Sequence, residues 1–511
     1  MNKILYFFDY GNSFGGAANT LLQQLLVVKE AGYEVKAYVS NYYGNISEAY
    51  SEVFDNYQIK LNEVKYCCCS HTEDIDIIEV FSCYENICET IQRERPDLVH
   101  SVQINPTVEL VCRELNIPHI MDIYQAIDDF FALDYTDIFP HYHICDSEIY
   151  ANSWSKGLQI NSTCIRTVVR DFIKRQKVYD HEALSFIAAG QVTPRKNQLE
   201  VIKGFHNAIR KGVKGYLDIY GYCKEQYALE CVEYVKQNDL SERVSFHGFV
   251  TSMFDKYQDA DVLICGSKVE SYPNVISEAL ANGLIVITSP VAGVPEVIKD
   301  RRNGFVTSGY SAADFEEKIM ECWNAFRDKS VNSILAEANK TFEAVHGKEN
   351  VKYQILEYYK SVIKNSSFRG VLSKDDAEII FRPIIDRYNE NVEHFTYPEL
   401  IKTKLWYWYH ACNVICRAKK KIYIWGAGKM GLCALEALKA FLPNQRIEGF
   451  IDRKRTGLYQ NHRIYAPTEV VYDNDNVILI AVKNCDEIID SLEAAKRAYG
   501  VDYFLVAPRM W

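Results

Sequence analysis

The pattern of apolar and polar positions repeats a strand, a glycine-containing loop and a helix at three places along the chain. The first repeat starts at residue 3, where the apolar run KILYFFDY precedes GNSFGG, a helical pattern and the strand YEVKAYVS. The second starts at SFIAAG near residue 185, and the third at KKIYIWGAGKMG near residue 420. Strands that alternate with helices favour parallel sheets covered by helices. The sequence therefore predicts an α/β protein with three doubly wound units.

We place these units at residues 1–180, 181–364 and 418–511, because 511 residues are too many for one hydrophobic core. Residues 365–417 then form a helical linker. At its end, LIKTKLWYWYHACNVICRAKKK (residues 400–421) places four adjacent aromatic residues between basic flanks. Such a belt is typical of a helix at a membrane interface. The alternative, which we favour, is a helix that packs its rings against a neighbouring domain.

Composition excludes several classes of protein. Hydrophobic residues make up 48% and charged residues 24%, as in ordinary globular domains, and the net charge of -11 argues against nucleic-acid binding. The apolar run at the N-terminus is too short for a secretory signal, and no run is long enough to span a membrane. We therefore expect a cytoplasmic protein whose cysteines stay reduced. Cys67, Cys68 and Cys69 lack the paired spacing of a zinc site, so no metal is expected.

Two glutamates frame a helix start in ESYPNVISE, residues 270–278. The preceding apolar run DVLICGS predicts a buried strand, so Glu270 and Ser271 should lie in the loop at its carboxyl end. Open α/β sheets bind ligands at that edge. Pro273 suits the first turn of a helix, and Asn282-Gly283 suits its end. The sequence therefore predicts a ligand-binding loop followed by a short helix.

The amides of Asn274 and Val275 open this helix, and a helix amino end is a natural site for phosphate. Glu278 lies more than one turn further along, so its carboxylate should point sideways and accept hydrogen bonds from two ribose hydroxyls. Glu270 should face the other end of a ligand whose diphosphate straddles the helix start. The spacing suits a nucleoside diphosphate sugar, although two solvated surface glutamates would give the same pattern.

The longer segment ESYPNVISEALANGLIVITSPVAGVPEVIKDRRNGFV resembles the signature of the family 4 retaining glycosyltransferases, which have the GT-B fold. Two glutamates separated by seven residues, a Glu-Ala pair, a glycine, an apolar strand and a Gly-x-Pro-Glu turn follow in order. The resemblance covers residues 1–364. It implies two doubly wound Rossmann-like domains that face a cleft, with the acceptor side on 1–180 and the nucleotide-sugar donor side on 181–364.

The resemblance also implies roles for other residues. In GNSFGG, Gly15 and Gly16 would approach the donor diphosphate or the acceptor. GQVTPRKNQ is similar to the phosphate-binding segment of the family, in which Lys196 is retained and Arg195 would replace a missing positive charge. VSFHGFV is similar to the turn that reads the nucleobase. The substrate-binding set implied by the resemblance and the helix start is Gly15, Gly16, His247, Gly248, Phe249, Ser271, Pro273, Asn274, Val275 and Glu278.

The chain departs from the family pattern at several positions. Gln191 stands where an arginine is usual, Asn197 replaces a glycine, and Tyr124 replaces a histidine. The usual Asn-Gly-x-Asp before the second domain is absent, and TCIRTVVRDF stands in its place. These changes affect the acceptor side more than the donor side.

The chemistry implied by the resemblance is transfer of a sugar from a nucleotide donor with retention at the anomeric carbon. Lys196, Arg195 and the helix amides would stabilise charge on the departing diphosphate without a metal. Glu270, the third residue of this catalytic set, would orient the donor sugar, and the leaving phosphate would help to deprotonate the acceptor.

The expected donor is UDP- or GDP-linked, and the expected acceptor is a saccharide or a lipid-linked molecule in surface polysaccharide or glycoconjugate biosynthesis. The enzyme would then work in the cytoplasm, peripherally at the inner face of the membrane. The alternative is a catalytically silent protein that binds nucleotide sugars or serves as a scaffold, which the loss of the arginine at Gln191 would permit.

The third unit contains a dinucleotide-type fingerprint. Gly426, Gly428 and Gly431 follow a strand and open a helix, and Asp452 ends the next strand pattern, where a ribose-binding acid belongs. With fewer than 100 residues the unit has no room for a substrate domain. It resembles the accessory domains of polysaccharide-biosynthesis enzymes, so nucleotide binding and a purely structural role both remain open.

Overall fold

The structure is a computed structural model, and it describes residues 2–12, 14–42, 44–66, 68, 83–124, 141–155, 160–170, 182–223, 226–250, 252–364, 385–402, 408, 412, 415, 420–482, 485–498 and 501–506. Three sheets, each covered by helices, form its framework.

The first sheet has seven parallel strands in the order β3-β2-β1-β4-β5-β6-β7. Its strands are β1 Lys3–Tyr10, β2 Glu34–Ser40, β3 Leu61–Val64, β4 Leu98–Val102, β5 His119–Asp122, β6 Tyr142–Cys145 and β7 Asn161–Cys164. Its helices are α1 Gly16–Glu30, α2 Glu48–Asn56, α3 Tyr84–Glu94, α4 Pro106–Leu115 and α5 Glu148–Ser155.

The second sheet has six parallel strands in the order β10-β9-β8-β11-β12-β13. Its strands are β8 Leu184–Ala189, β9 Gly215–Tyr220, β10 Val244–Gly248, β11 Val262–Cys265, β12 Ile285–Thr288 and β13 Phe305–Val306. The helices that follow are α6 Gln198–Arg210, α7 Gln226–Gln237, α8 Phe254–Asp259, α9 Asn274–Ala281, α10 Val294–Val297, α11 Ala312–Arg327, α12 Val331–Val345 and α13 Lys348–Ile363.

Both sheets reverse their strand order next to their first strand. In the first sheet the reversal lies between β1 and β4, and in the second between β8 and β11. Successive crossover helices leave opposite faces of the sheet at such a point, and a crevice opens there outside the carboxyl ends of the strands. The loops after these four strands are therefore the places where ligands are expected.

The last helix of the second unit returns to the first domain. Val351, Ile355 and Tyr359 of α13 are fully buried in the core cluster that contains β1 and α1. The Tyr359 hydroxyl also lies 3.1 Å from that of Tyr6. The predicted boundary at residue 364 counts α13 with the second domain, whereas its apolar face packs in the first.

The third sheet has six strands in the order β16-β17-β15-β14-β18-β19, and β16 is antiparallel to its neighbour. Its strands are β14 Lys421–Trp425, β15 Ile447–Ile451, β16 Gly457–Tyr459, β17 His462–Tyr465, β18 Asn476–Ile480 and β19 Tyr503–Leu505. The short helix α14 Pro398–Lys402 precedes it, and α15 Lys429–Phe441 and α16 Asp486–Ala494 cover it.

The described part of the linker packs against this third domain. Trp408 is 1% exposed and its ring centroid lies 6.2 Å from that of Phe441, while Ile401 and Ile415 are fully buried. This favours packing over a membrane belt for Trp408. Its neighbours Trp406, Tyr407 and Tyr409 lie outside the described residues. None of the helices in the described ranges is long and apolar enough to cross a membrane.

The described cysteines are free thiols, and most of them are buried. Cys68 belongs to this buried group, whereas Cys67 and Cys69 lie outside the described residues. In the parts of the chain that the structure covers, no three His, Cys, Asp or Glu side chains cluster as metal ligands.

Two glycines of the third domain give a matched test of its packing. A Cβ at Gly431 would lie far inside van der Waals contact with the Gly426 carbonyl oxygen, whereas a Cβ at Gly428 would meet nothing within 4 Å. Overpacking costs roughly 1–3 kcal/mol or more, so we expect Gly431→Ala to lower the unfolding free energy by at least that amount. Gly428→Ala should cost clearly less. Urea unfolding that gives both variants equal stability would contradict this packing.

Candidate functional site

The short helix α9 starts and ends close to where the sequence predicts. Pro273 takes the N-cap position with φ -65° and ψ 119°, one residue earlier than its predicted place inside the first turn. Asn282 is the C-cap, and Gly283 follows with φ +71°, a left-handed conformation that favours glycine. The predicted end of the helix is therefore confirmed. The first amides of a helix have no intrahelical acceptor, so those of Asn274 and Val275 point out of its start.

The start of α9 meets the start of α1 from the first domain. The Asn274 amide group donates to the Gly16 carbonyl at 3.3 Å and to the Thr20 hydroxyl at 3.1 Å. Its carbonyl oxygen accepts a hydrogen bond from the Thr167 hydroxyl at 2.9 Å. Two helix amino ends from different domains therefore face one region, at the loop that contains Gly15 and Gly16. Each end carries a partial positive charge, which suits an anion between them.

Glu270, Lys196 and Arg195 come together as one ionic cluster. Glu270 Oε1 lies 2.6 Å from Lys196 Nζ and accepts a hydrogen bond from Arg195 Nη1 at 2.5 Å. The side chains of Glu270 and Lys196 are 16% and 17% exposed, whereas Arg195 is half exposed. Arg195 also donates to the Val269 carbonyl at 3.0 Å. The loops after β8 and β11 thus place two cations and one carboxylate at the crevice of the second sheet.

The loop that carries these cations has a backbone that explains one departure from the family. Asn197 has φ +62°, in the left-handed region that favours glycine and that asparagine tolerates best among other residues. Its buried side chain donates to the Tyr310 carbonyl at 2.9 Å. The chain therefore keeps the loop shape without the glycine. A backbone hydrogen bond of 2.8 Å from Lys268 to Arg195 ties this loop to the Glu270 loop.

The predicted nucleobase turn carries two pairs of stacked rings. His247 stacks on Tyr220 with centroids 4.5 Å apart, and its Nε2 lies 2.6 Å from Asp218 Oδ1. Phe249 stacks on Tyr222 with ring centroids 4.5 Å apart and an angle of 5° between the ring planes, and both rings are about half exposed. Gly248 has φ +71°, and its carbonyl accepts a hydrogen bond from the Gly221 amide. The exposed pair offers a flat apolar surface at the same sheet edge as Glu270.

Glu278 lies on the second turn of α9 in a half-buried position. Its Oε2 accepts a hydrogen bond from the Tyr257 hydroxyl at 2.8 Å. Burial raises the pKa of Glu278 to about 7, and the hydrogen bond from Tyr257 offsets part of that rise. The predicted contact with ribose hydroxyls would use the remaining capacity of this carboxylate, and it stays a prediction.

Ser271 is buried between the two domains. Its hydroxyl donates to the Asp146 carboxylate, and it lies 2.8 Å from the Ser147 hydroxyl. Burial raises the pKa of Asp146 to about 7, although Ser271 and Arg166 lower it in part. The hydroxyl of Ser271 is thus engaged within the protein, so its predicted contact with the donor would have to come from the backbone.

Three residues that sequence reasoning missed join the domains beside this loop. Glu296 accepts hydrogen bonds from the amides of Glu148 and Ile149, at 2.9 and 3.0 Å, and thereby caps α5 of the first domain. Arg166 pairs with Glu296 and lies over the Tyr272 ring. For Glu296, the Gly-x-Pro-Glu turn was the feature of the sequence that could have indicated a role. Arg166 lies in TCIRTVVRDF, where the sequence showed only a departure from the family.

His346 is the third of these residues and lies outside every motif in the sequence. Its Nδ1 is 2.9 Å from the Thr167 carbonyl and its Nε2 is 3.2 Å from the Tyr272 hydroxyl. Burial lowers the pKa of His346 to about 4, so the ring is neutral at pH 7 and bridges the domains without charge.

The glycine loop of the third domain has the predicted order of strand, loop and helix, with Gly428 at the N-cap of α15. Asp452, however, accepts hydrogen bonds from three backbone amides of its own domain, those of Ala427, Lys454 and Arg455 at 3.1, 2.8 and 3.0 Å. Burial alone would raise the pKa of Asp452, but these amides and Arg455 hold it below its ordinary value. The carboxylate thus fastens the glycine loop, and the predicted ribose contact stays a prediction.

A pair of substitutions at one position tests the loop that carries Lys196. Asn197→Ala and Asn197→Gly both lose the hydrogen bond to Tyr310, but only alanine keeps a Cβ in the left-handed conformation. We therefore expect Asn197→Ala to be less stable than Asn197→Gly by about 1 kcal/mol. Chemical denaturation of both variants measures this difference. Equal stabilities would mean that the backbone at residue 197 is not left-handed.

Part of the chain is similar to known proteins. Residues 169–329 match the family model described as glycosyl transferases group 1. Over 303 residues the chain is 22% identical to a protein of Methanocaldococcus jannaschii named an uncharacterized glycosyltransferase, covering 56% of this chain and 80% of that protein. It is 20% identical over 238 residues to the poly(glycerol-phosphate) alpha-glucosyltransferase of Bacillus subtilis, covering 44% of this chain and 34% of the relative.

A solved structure shows the same architecture. The crystal structure of Anabaena HepE in complex with UDP and glucose aligns with a TM-score of 0.56 and 15% identity, covering 71% of this chain and all of that one. The predicted fold class is confirmed: two Rossmann-like domains in GT-B arrangement, followed by a third Rossmann-like sheet. The match over residues 169–329 supports a group 1 glycosyltransferase.

Proposed function

We propose that the protein transfers a sugar, with retention of its anomeric configuration, from a nucleoside diphosphate sugar to a saccharide or lipid-linked acceptor. The observation that carries this proposal is the convergence at one crevice of the α9 start, the Gly15–Gly16 loop and the cluster of Glu270, Lys196 and Arg195. A donor of this class has a diphosphate between two hydroxyl-rich rings, which suits positive groups flanked by carboxylates.

Stabilisation of the leaving diphosphate would come from fixed positive groups. As the bond to the sugar breaks, negative charge grows on the phosphate oxygen, and preorganised donors in a partly dry site stabilise it strongly. The amides of Asn274 and Val275 would bind this phosphate, and Lys196 would add a full charge. Arg195 would supply the charge that Gln191 lacks. These groups meet the electrostatic requirement in the proposed mechanism without a metal ion.

Glu270 would hold the donor sugar through its hydroxyls. Its Oε1 is engaged by two cations, which leaves Oε2 to accept hydrogen bonds from the sugar. A carboxylate fixed in this way orients the anomeric carbon and keeps the leaving phosphate on the side of the cations. Retention rests on the resemblance of residues 270–304 to the family 4 signature, and in that scheme the leaving phosphate takes the proton of the acceptor.

The nucleotide would extend from the phosphate to the turn after β10. Its base would lie against the exposed Phe249–Tyr222 pair, because bases stack on aromatic rings. Its ribose would lie near Glu278. The UDP in the HepE complex supports a uridine donor first, with GDP-linked sugars as the alternative.

The acceptor would be a surface polymer or a glycoconjugate. The relative from Bacillus subtilis is named a poly(glycerol-phosphate) alpha-glucosyltransferase. This name supports a surface polymer or a glycoconjugate as the class of acceptor. In the proposed function, the enzyme works at the cytoplasmic face of the membrane. Contact through residues 400–421 stays a prediction that flotation on anionic liposomes tests.

A carboxylate deletion tests the transfer chemistry. We expect Glu270→Ala to lower kcat with the productive donor by at least about 100-fold, or roughly 3 kcal/mol, because the sugar loses its orienting group. UDP affinity should change by less than about threefold, since the phosphate contacts remain. Glu230→Ala, which removes an exposed carboxylate on α7, is the matched control. Donor panels of common UDP and GDP sugars, assayed by nucleotide release, measure this effect.

The same panel separates the enzyme from the catalytically silent alternative. A silent protein would bind a nucleotide sugar, seen as a raised melting temperature, yet release no nucleotide beyond the level of Glu270→Ala. If no common UDP or GDP sugar were bound or turned over, the proposed function would be wrong.

The pH dependence of donor affinity tests the ribose contact. The pKa of Glu278 is about 7 in the free protein, so its carboxylate becomes protonated as pH falls and loses capacity to accept ribose hydroxyls. We expect the affinity for UDP-glucose to weaken several-fold between pH 8 and pH 6. Glu278→Gln should bind more weakly at pH 8 and lose most of this slope, as calorimetry would measure. Asp146 titrates in both proteins, so an unchanged slope in the variant would exclude Glu278.

A further inference from the structure

Asp9 lies at the carboxyl end of β1, beside the strand-order reversal of the first sheet. The loop that follows it contains Gly11, Gly15 and Gly16, and its far end contacts Asn274 of the donor helix. Asp9 therefore belongs to the edge of the first domain that faces the donor site. The proposed function assigns it no role.

A bulge in β1 moves this side chain from one face of the first sheet to the other. Phe7 pairs with Tyr38 and Tyr10 pairs with Ser40, so β1 uses one more residue than β2 between these pairs. Side chains alternate faces along a strand, and strict alternation would place Asp9 in the core cluster that contains Leu5 and Phe7. A bulge shifts this alternation and re-aims a side chain. Its carboxylate instead meets Tyr50, on the α2 face.

Few hydrogen bonds offset the cost of removing the Asp9 carboxylate from water. Among the residues that the structure describes, the side chain that donates to Asp9 is that of Tyr50, whose hydroxyl is 3.1 Å from Oδ1. Burial raises the pKa of Asp9 to about 7, and the bonds from Tyr50 and from its own amide lower it only in part. A half-buried carboxylate with so few donors costs stability, which is typical of a functional site.

An aromatic ring lies beside this carboxylate. Tyr50 contacts the half-buried ring of Phe14 edge to face, with centroids 5.1 Å apart, and Phe14 belongs to the same glycine loop. The loop is fastened to the start of α2 by a hydrogen bond from the Ser47 amide to the Gly11 carbonyl. A carboxylate that accepts hydroxyl protons next to an apolar ring face is a combination that suits a sugar ring.

We propose that Asp9 binds a hydroxyl group of a saccharide acceptor, with the acceptor sugar lying over the end of β1 against Phe14. This inference rests on the proposed function, because it supplies the acceptor half of the same crevice. It specifies a saccharide as the group in contact with the first domain, whether or not a lipid follows it. Asp9 acts here in binding, and Tyr50 holds the carboxylate in place.

The test uses Asp9→Asn, which keeps the shape of the side chain and removes its charge. Binding of the methyl glycosides of glucose, galactose, mannose and N-acetylglucosamine is measured by saturation-transfer NMR with UDP present. We expect the wild-type protein to bind at least one of them and Asp9→Asn to bind it at least about tenfold more weakly, because a charge-assisted hydrogen bond is lost. Asp55→Asn, an exposed carboxylate on α2, should bind as the wild type does.

The outcomes separate this inference from the proposed function. A wild-type protein that binds UDP but none of the glycosides, or an Asp9→Asn variant that binds them unchanged, would overturn the saccharide site alone. Loss of UDP binding in the wild-type protein would refute the donor site instead. UDP affinity in Asp9→Asn should stay within about threefold of the wild type, since Asp9 does not contact the donor helix.

The stability of Asp9→Asn distinguishes a binding role from a structural one. Because the pKa of Asp9 is raised in the folded state, its ionisation costs stability as pH rises from about 4 to about 7. The ionisable neighbours are Tyr50 and Tyr66, whose pKa values burial raises well above 10, and Cys68. We therefore expect the melting temperature of Asp9→Asn, measured relative to that of the wild type, to increase as the pH is raised from 5 to 8. A variant that is less stable at both pH values would show that the carboxylate serves the fold.

Discussion

The contact of Asn274 with the start of α1 is the constraint on which the rest of the site depends. It holds the amino ends of two helices from different domains against each other, through Gly16 and Thr20. Each of these ends carries a partial positive charge, so an anion between them would interact favourably with both. In the proposed function, the donor diphosphate would lie at this point.

The surrounding contacts keep that arrangement in place. Glu296 caps a helix of the opposite domain, Arg166 bridges the same two surfaces, and His346 joins them in its neutral form. Ser271, adjacent to Glu270, is bound to Asp146 across the interface. The loop that presents Glu270 is thus positioned by the first domain as well as by its own. In the proposed function, the contacts between the two domains would therefore also help to position the donor.

The sequence predicted those features that depend on local physics. The order of strands and helices, the helix after Pro273 and its end at Gly283 follow from periodicity and from the preferences of proline and glycine. The sequence also placed Glu270 and Lys196 at one site through the family resemblance, but their direct ion pair was not predicted.

Features set by distant parts of the chain were not predictable in the same way. The packing of α13 in the first domain and the cap that Glu296 provides for α5 depend on how the domains meet. The bulge that redirects Asp9 depends on its pairing with β2, which no local pattern in KILYFFDY reveals. The three backbone amides that donate to Asp452 likewise come from residues that the motif does not specify. Motif spacing predicts that a residue lies at a sheet edge, but it does not predict which groups its side chain contacts.

The most direct measurement is a crystal structure of the protein soaked with UDP-glucose. The account predicts that the diphosphate lies between the two helix starts, with its oxygens in hydrogen-bond distance of the Asn274 and Val275 amides and with Lys196 beside it. Gly15 and Gly16 should border it from the other domain. A diphosphate bound at the Gly426–Gly431 loop, or anywhere outside the contact of α1 and α9, would contradict the account.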